Sequence, residues 1–296
     1  MIATLPRIGI AVRDMDRAIA VFRDGFGIPT HEFAWASEKL GARMALASGG
    51  DGTHVELLAP DDAARPHSRV FLRFLERHGE GLYALMLNAD DPDAEAAVLE
   101  RRGLPVMPLM LEAGGRDLHP RDTCGVLIRI YPTHTNEMVE PELTQAIGPI
   151  AARRGATALS SIRRVLVAVR DLEAAVAVYR DRLGLETVVR PAERGAKVRQ
   201  AMCTPPEGAR IELLAPVSSG GRIADVLHER GEGMFALVLE SNDLGSSVAA
   251  LGANGISPRP VADAPGAWEI DREAACGVLF RIEASSRASS GGLPWS

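Results

Sequence analysis

Residues 7–12 read Arg-Ile-Gly-Ile-Ala-Val, with bulky apolar side chains at 8, 10 and 12 and Arg7, Gly9 and Ala11 between them. Alternation with period two marks a strand with two different faces. Asp14 follows, then an Ala- and Val-rich stretch that ends near Gly27. An aspartate directly before such a stretch predicts a helix capped by its carboxylate. Alternating runs at 42–47 and 53–58 predict two further strands. The same order recurs more weakly from Ala84: a strand to Ala89, Asp91, then a helix ending near Gly103. The pattern therefore predicts a βαβββ module used twice.

This double module is itself repeated. RIGIAVRDMDRAIAVFRDGFGI (7–28) matches RVLVAVRDLEAAVAVYRDRLGL (164–185), and HVELLAP (54–60) matches RIELLAP (210–216). HGEGLYALML (78–87) matches RGEGMFALVL (230–239), and CGVLIRI (124–130) matches CGVLFRI (276–282). Matches that keep their order along the chain indicate a duplicated domain. The expected organisation is α+β: a first domain over 5–133, a linker with one short helix over 134–161, a second domain over 162–284, and a flexible Ser- and Gly-rich tail over 285–296.

Composition narrows the functions. With 33 Lys and Arg against 39 Asp and Glu, the chain carries a formal charge of -6, which argues against nucleic acid or an anionic membrane as partner. Three scattered cysteines form no C-x-x-C pair or disulfide framework and suit a reducing compartment. No apolar run approaches the ~20 residues that span a bilayer, and no signal-peptide core follows Met1. The expectation is a cytoplasmic protein, with a homodimer left open.

RIGIAVRDMDRAIAVFRDGFGI, HVELLAP, LYALMLNADD and LHPRDTCGVLIRI resemble the ordered signature segments of vicinal oxygen chelate domains, the glyoxalase, bleomycin-resistance and dioxygenase superfamily. The flavour is that of the methylmalonyl-CoA epimerase-like branch. The resemblance implies two cup-shaped sheets. It implies no single reaction, because the superfamily holds isomerases, lyases, ring-cleaving dioxygenases and non-catalytic binding proteins. In its catalytic members a divalent metal is held by a His on the first strand, a Gln or Glu in the ELLAP strand, a His on the fifth strand and a Glu on the last. Carried over, these positions are Arg7, Glu56, Ala84 and Arg129 in the first repeat, and Arg164, Glu212, Ala236 and Arg281 in the second. Guanidinium has no lone pair to donate and Ala offers no ligand atom. One donor of four remains in each repeat, where such metals want at least about three. No cofactor is expected, and a divalent metal is disfavoured. The epimerase branch places a proton-transferring Glu where this chain has Arg43 and Arg199, and arginine is a poor base.

Arg7 shares its strand face with Gly9 and Ala11, and Arg43 shares its face with Ala45 and Ala47. The expected cup floors therefore hold Arg7, Arg43, Arg129 and Glu56 in one domain, and Arg164, Arg199, Arg281 and Glu212 in the other. Three readings stay open: a metal-free site for a small anionic ligand of the carboxylate or acyl-CoA type, arginines paired with carboxylates as structure, or arginines in solvent. His54, Tyr83 and His119 are additional polar candidates. A rearranged metal site would use His54, Glu56 and His119. Cys124 and Cys276 read as small buried residues rather than nucleophiles.

Overall fold

Asp14 starts its helix as predicted: Oδ1 accepts the Arg17 amide at 3.0 Å and leads into α1 (Met15–Ala20). The helix then widens into a π turn, Val21–Gly25. The repeat does the same. Asp171 accepts from Ala174, opening α6 (Leu172–Val176) and a second π turn, Ala177–Arg182. Each aspartate satisfies one of the orphan amides of its first turn, a cap worth about 1 kcal/mol.

The computed structural model describes residues 1–50, 52–108, 115–149, 157–191, 197–262 and 264–285. The first repeat contributes β1 (Ile2–Ala11), β2 (Thr30–Glu32), α2 (Ala34–Leu40), β3 (Ala42–Ala47), β4 (His54–Pro60), α3 (Pro66–His78), β5 (Gly81–Ala89), α4 (Pro92–Arg101), β6 (Arg116–Leu118) and β7 (Ile128–Pro132). Helix α5 (His134–Ile147) occupies the segment expected to link the repeats, longer than the short helix expected there. The second repeat contributes β8 (Leu159–Ala168), β9 (Glu186–Val189), β10 (Val198–Thr204), β11 (Glu207–Gly208), β12 (Arg210–Pro216), α7 (Arg222–Arg230), β13 (Gly233–Ser241), α8 (Leu244–Ala253), β14 (Arg259–Pro260), β15 (Trp268–Ile270) and β16 (Leu279–Ala284). From residue 286 the expected tail lies outside the described residues.

The strands form two eight-stranded sheets, ordered β2-β3-β4-β1-β5-β7-β6 with β11 paired to β1, and β14-β15-β16-β13-β8-β12-β10-β9. Each order is linear, so both sheets are open, and the architecture is the α+β duplication expected. Hairpin-like neighbours run antiparallel, whereas β5 with β7 and β12 with β8 run parallel. Buried on both faces, β5 reads as a nearly unbroken apolar run, the habit of parallel strands.

Packing divides the chain into two compact units, and each draws on both repeats. One comprises Met1–Ile10, Leu82–Glu142 and Arg164–Ala236; the other comprises Ala11–Gly81, Leu143–Arg163 and Leu237–Ser296. In the second unit Phe22 and Phe26 stack with centroids 5.4 Å apart, and Phe280 closes on them at 5.9 and 4.9 Å. In the first unit Tyr179, which matches Phe22 in the repeat, is fully buried, and its hydroxyl donates to the Thr123 carbonyl at 3.4 Å.

Each unit also contains one very close turn. Cys124-Gly125 and Cys276-Gly277 are all left-handed, with φ of 55°, 78°, 52° and 77°. A Cβ on Gly125 would lie 1.9 Å from the Glu232 carbonyl oxygen, and one on Gly277 would lie 1.9 Å from that of Glu80. The turn thus needs glycine for both conformation and space. We expect Gly125→Ala and Gly277→Ala each to cost about 2 kcal/mol or more in urea unfolding; a loss below about 0.5 kcal/mol would refute the contact.

Candidate functional site

Strand register decides which predicted site residues meet. In β3 and β4, Leu46 lies opposite Glu56 and Met44 opposite Leu58, whereas Arg43 lies opposite Ala59. Directly opposed residues share a face, so Arg43 and Glu56 are on opposite faces of the sheet. The second repeat agrees: Met202 opposes Glu212, while Arg199 opposes Ala215. The expectation of three arginines and one glutamate on each cup floor is corrected accordingly. Arg43 is bound by Glu32 through both Nε (2.6 Å) and Nη2 (2.8 Å), and by Asp16 of α1 at 2.6 Å. Arg199 pairs with Glu173 of α6. These two arginines tie strand to helix.

Arg7 and Arg129 remain, and both lie in the first compact unit. They are 4% and 6% exposed. The Arg7 guanidinium carbon is 5.6 Å from the centroid of the Tyr131 ring, and that of Arg129 is 5.3 Å from the centroid of Tyr83. Cation–π contact is strongest when both partners are desolvated, which holds for Arg129 and Tyr83, whereas Tyr131 beside Arg7 is half-buried. Arg129 opposes Asp117 across β6 and β7 and pairs with it at 3.2 Å. Burial works against the Arg129 charge, but Tyr131, Tyr83 and Asp117 outweigh it and raise the proton affinity. Burial, opposed by Arg129 and assisted by Asp117, pushes the Tyr83 hydroxyl up to about 12.

Parallel register sets Met86 beside Arg129 and Asn88 beside Tyr131 on the same face. Asn88 is fully buried, and among the described residues neither its Oδ1 nor its Nδ2 has a hydrogen-bond partner. Sequence reasoning missed Asn88, Asp117 and Tyr131. For Tyr131 a signal existed, since it stands two residues after Arg129 on an alternating strand.

The second repeat closes its charges differently. Arg164 pairs with Glu212 at 2.9 Å, and Arg281 pairs with Glu269 at 3.0 Å and approaches Glu283 at 4.0 Å. Aligned on CGVLIRIY and CGVLFRIE, Glu283 takes the place of Tyr131; aligned on GLYAL and GMFAL, Phe235 takes that of Tyr83. Both repeats set a carboxylate directly opposite the last-strand arginine; the first adds the rings of Tyr83 and Tyr131, where the second has Phe235 and Glu283.

A family model described as the glyoxalase/bleomycin resistance protein/dioxygenase superfamily matches residues 7–119 and again 163–273. The chain belongs to this superfamily. A triple mutant of 4-hydroxymandelate synthase from Streptomyces coelicolor superposes with TM-score 0.67 and 14% identity, covering 99% of this chain and 95% of its own. A hypothetical protein from Staphylococcus aureus superposes with TM-score 0.58 and 12% identity, over 96% and 100%. Methylmalonyl-CoA epimerase from Mycobacterium tuberculosis covers 46% of this chain and 96% of its own, with 26% identity and TM-score 0.40. No curated protein gives a significant match.

A divalent metal is common in the superfamily, and the residues carried over to its ligand positions do not fit one. Its positions carry Arg7, Ala84 and Arg129 beside Glu56, a set with one donor and two cations. Among the described residues no three His, Cys, Asp or Glu side chains converge as a ligand set. The rearranged trio fails with them. His54 is half-buried on β4, and His119 is exposed and occupied in capping the turn Pro120–Asp122, its Nδ1 accepting from Arg121 N at 3.2 Å.

Asp117→Asn leaves the buried Arg129 without its carboxylate and should lower unfolding free energy by about 3 kcal/mol, while the double variant Arg129→Met/Asp117→Leu should lose much less. Equal losses in both would show that the pair is not coupled. Burial also pushes the thiols of Cys124 and Cys276 up to about 12 from an ordinary 9. A folded pKa above the unfolded one stabilises below the unfolded value and stops doing so as pH rises through the folded value. Stability should therefore fall between about pH 9 and about pH 12, with Tyr83 adding to the fall above about pH 10. A urea midpoint that stays constant between about pH 8 and about pH 11 would contradict this.

Proposed function

We propose that this chain binds a small organic anion, of the carboxylate or acyl-CoA type, at the first-repeat face that carries Arg7, Arg129 and Asn88, and does so without a metal. The observation that carries the reading is the Asn88 amide, buried with donor and acceptor both unfilled beside the tyrosine on which Arg7 lies. An unsatisfied buried amide costs about 1–3 kcal/mol, and a ligand carrying both an anionic group and a neutral oxygen would fill it while meeting the guanidiniums. The second repeat, closed by its own carboxylates, is the structural copy. If the protein is an enzyme, the superfamily implies a lyase, an isomerase or a ring-cleaving dioxygenase. We place it in the cytoplasm, a reading supported by three free cysteines; among the described residues no helix is long and apolar enough to cross a membrane.

A second reading is favoured by the Arg129–Asp117 and Arg164–Glu212 pairs. Here the guanidiniums supply the positive charge that a metal gives elsewhere in the superfamily, and the chain is a non-catalytic scaffold.

A thermal-shift screen with acyl-CoA thioesters, 2-oxo acids and aromatic carboxylates separates the two. Binding at ~100 times the dissociation constant adds ~2.7 kcal/mol to stability. Asn88→Leu should leave the free protein as stable or more so, yet weaken the anion identified in the screen; Arg7→Ala should weaken it as well. No stabilising anion, or affinity unchanged in both variants, refutes the binding site. One equivalent of tightly held metal, with function lost on chelation, refutes metal independence.

A further inference from the structure

Strand β9, which reads Glu-Thr-Val-Val and continues into Arg190, forms one outer edge of the second sheet. Val188 is 58% exposed and Val189 46%. The matching edge of the first sheet, β2, is only three residues long, polar and half-buried throughout. Exposed apolar edge strands template further pairing, and most proteins shorten or charge them to prevent it. β9 carries charge only at its two ends. Glu186 is acidic, Arg190 is basic, both are exposed, and among the described residues neither has an ion-pair partner.

The ladder fixes which groups face outward. The Arg190 amide donates to the Gln200 carbonyl at 3.0 Å, and β9 pairs with β10 as Val188 to Met202 and Glu186 to Thr204. In an antiparallel ladder, hydrogen-bonding residues alternate with residues whose N–H and C=O point away. Glu186, Val188 and Arg190 therefore bond inward, and Thr187 and Val189 present their backbone groups at the open edge.

We propose that two copies of this chain associate by antiparallel pairing of their β9 edges about a twofold axis at Val188. In that register Thr187 of each copy lies opposite Val189 of the other, so the outward-facing groups meet each other and form two doubly hydrogen-bonded pairs. Val188 meets its own copy. Glu186 lies opposite Arg190 at both ends, on one face with Val188. A twofold interface must be complementary to itself, and Glu-Thr-Val-Val-Arg meets that condition in backbone pattern, apolar contact and charge at one register. A one-residue shift would set inward-bonding groups against outward ones.

Sedimentation velocity of the whole protein over a concentration series tests this. The wild type should dimerise reversibly. E186R and R190E should each weaken the dimer by about tenfold, since each sets like charges together at both ends. The double variant E186R/R190E restores opposite charges and should recover the wild-type dissociation constant. V189P removes an outward amide at a position where an edge strand tolerates proline, and should yield a folded monomer with unchanged circular dichroism. A wild type that stays monomeric to its solubility limit overturns the proposal. So does a dimer indifferent to V189P, or a double variant no better than the singles.

Discussion

A guanidinium taken off water onto the face of a sheet must meet negative charge or an aromatic ring within the reach of its own strand and the next, and the arrangement of both repeats follows from that constraint. Arg129 finds Asp117 directly across the ladder and Tyr83 beside it; Arg281 finds Glu269 directly across and Glu283 two residues along. Isolated buried charge is far too costly to persist. Once arginine occupied these positions, the neighbouring strand had to supply a carboxylate at the opposed residue. Arginine suits this better than lysine because its planar head can lie on a ring and bond a carboxylate in its plane.

Much of the fold could be read from the chain. The ordered repeats and the aspartates Asp14 and Asp171 at helix starts rest on local chemistry, and local chemistry is what a linear reading sees; the close Cys-Gly turns, which depend on a distant carbonyl, came only from the structure. The site was legible only in part. Arg7 and Arg129 were found because their positions in the repeat could be matched. Arg43 was placed on the wrong face relative to Glu56. Alternation within one strand was read correctly there, but it does not say how that strand registers against its neighbour, and a register offset of one residue exchanges the faces. Asp117 and Glu269 were missed for a related reason: an opposed residue on an adjacent strand carries no fixed spacing in sequence.

Duplication lets the two copies diverge in electrostatics while keeping their backbone. Tyr131 became or remained aromatic where the second repeat has Glu283, and Tyr83 carries a hydroxyl where Phe235 has none. The caps at Asp14 and Asp171 and the two Cys-Gly turns are the same in both repeats despite these differences. The scaffold thus tolerates separate side-chain histories in its two repeats.

Each compact unit is assembled from segments of both repeats, some of them more than a hundred residues apart along the chain. Loop closure over such distances is slow relative to local helix formation. A nascent chain that has emerged only as far as α5 would hold its helices and hairpins, but Phe22 and Phe26 would still await Phe280, and the turn at Gly125 would still await the backbone of Glu232. Synthesis order therefore leaves the aromatic surface of Phe22 and Phe26 in the second unit exposed until β16 arrives, whereas the segments of the first unit are all present once Ala236 has emerged.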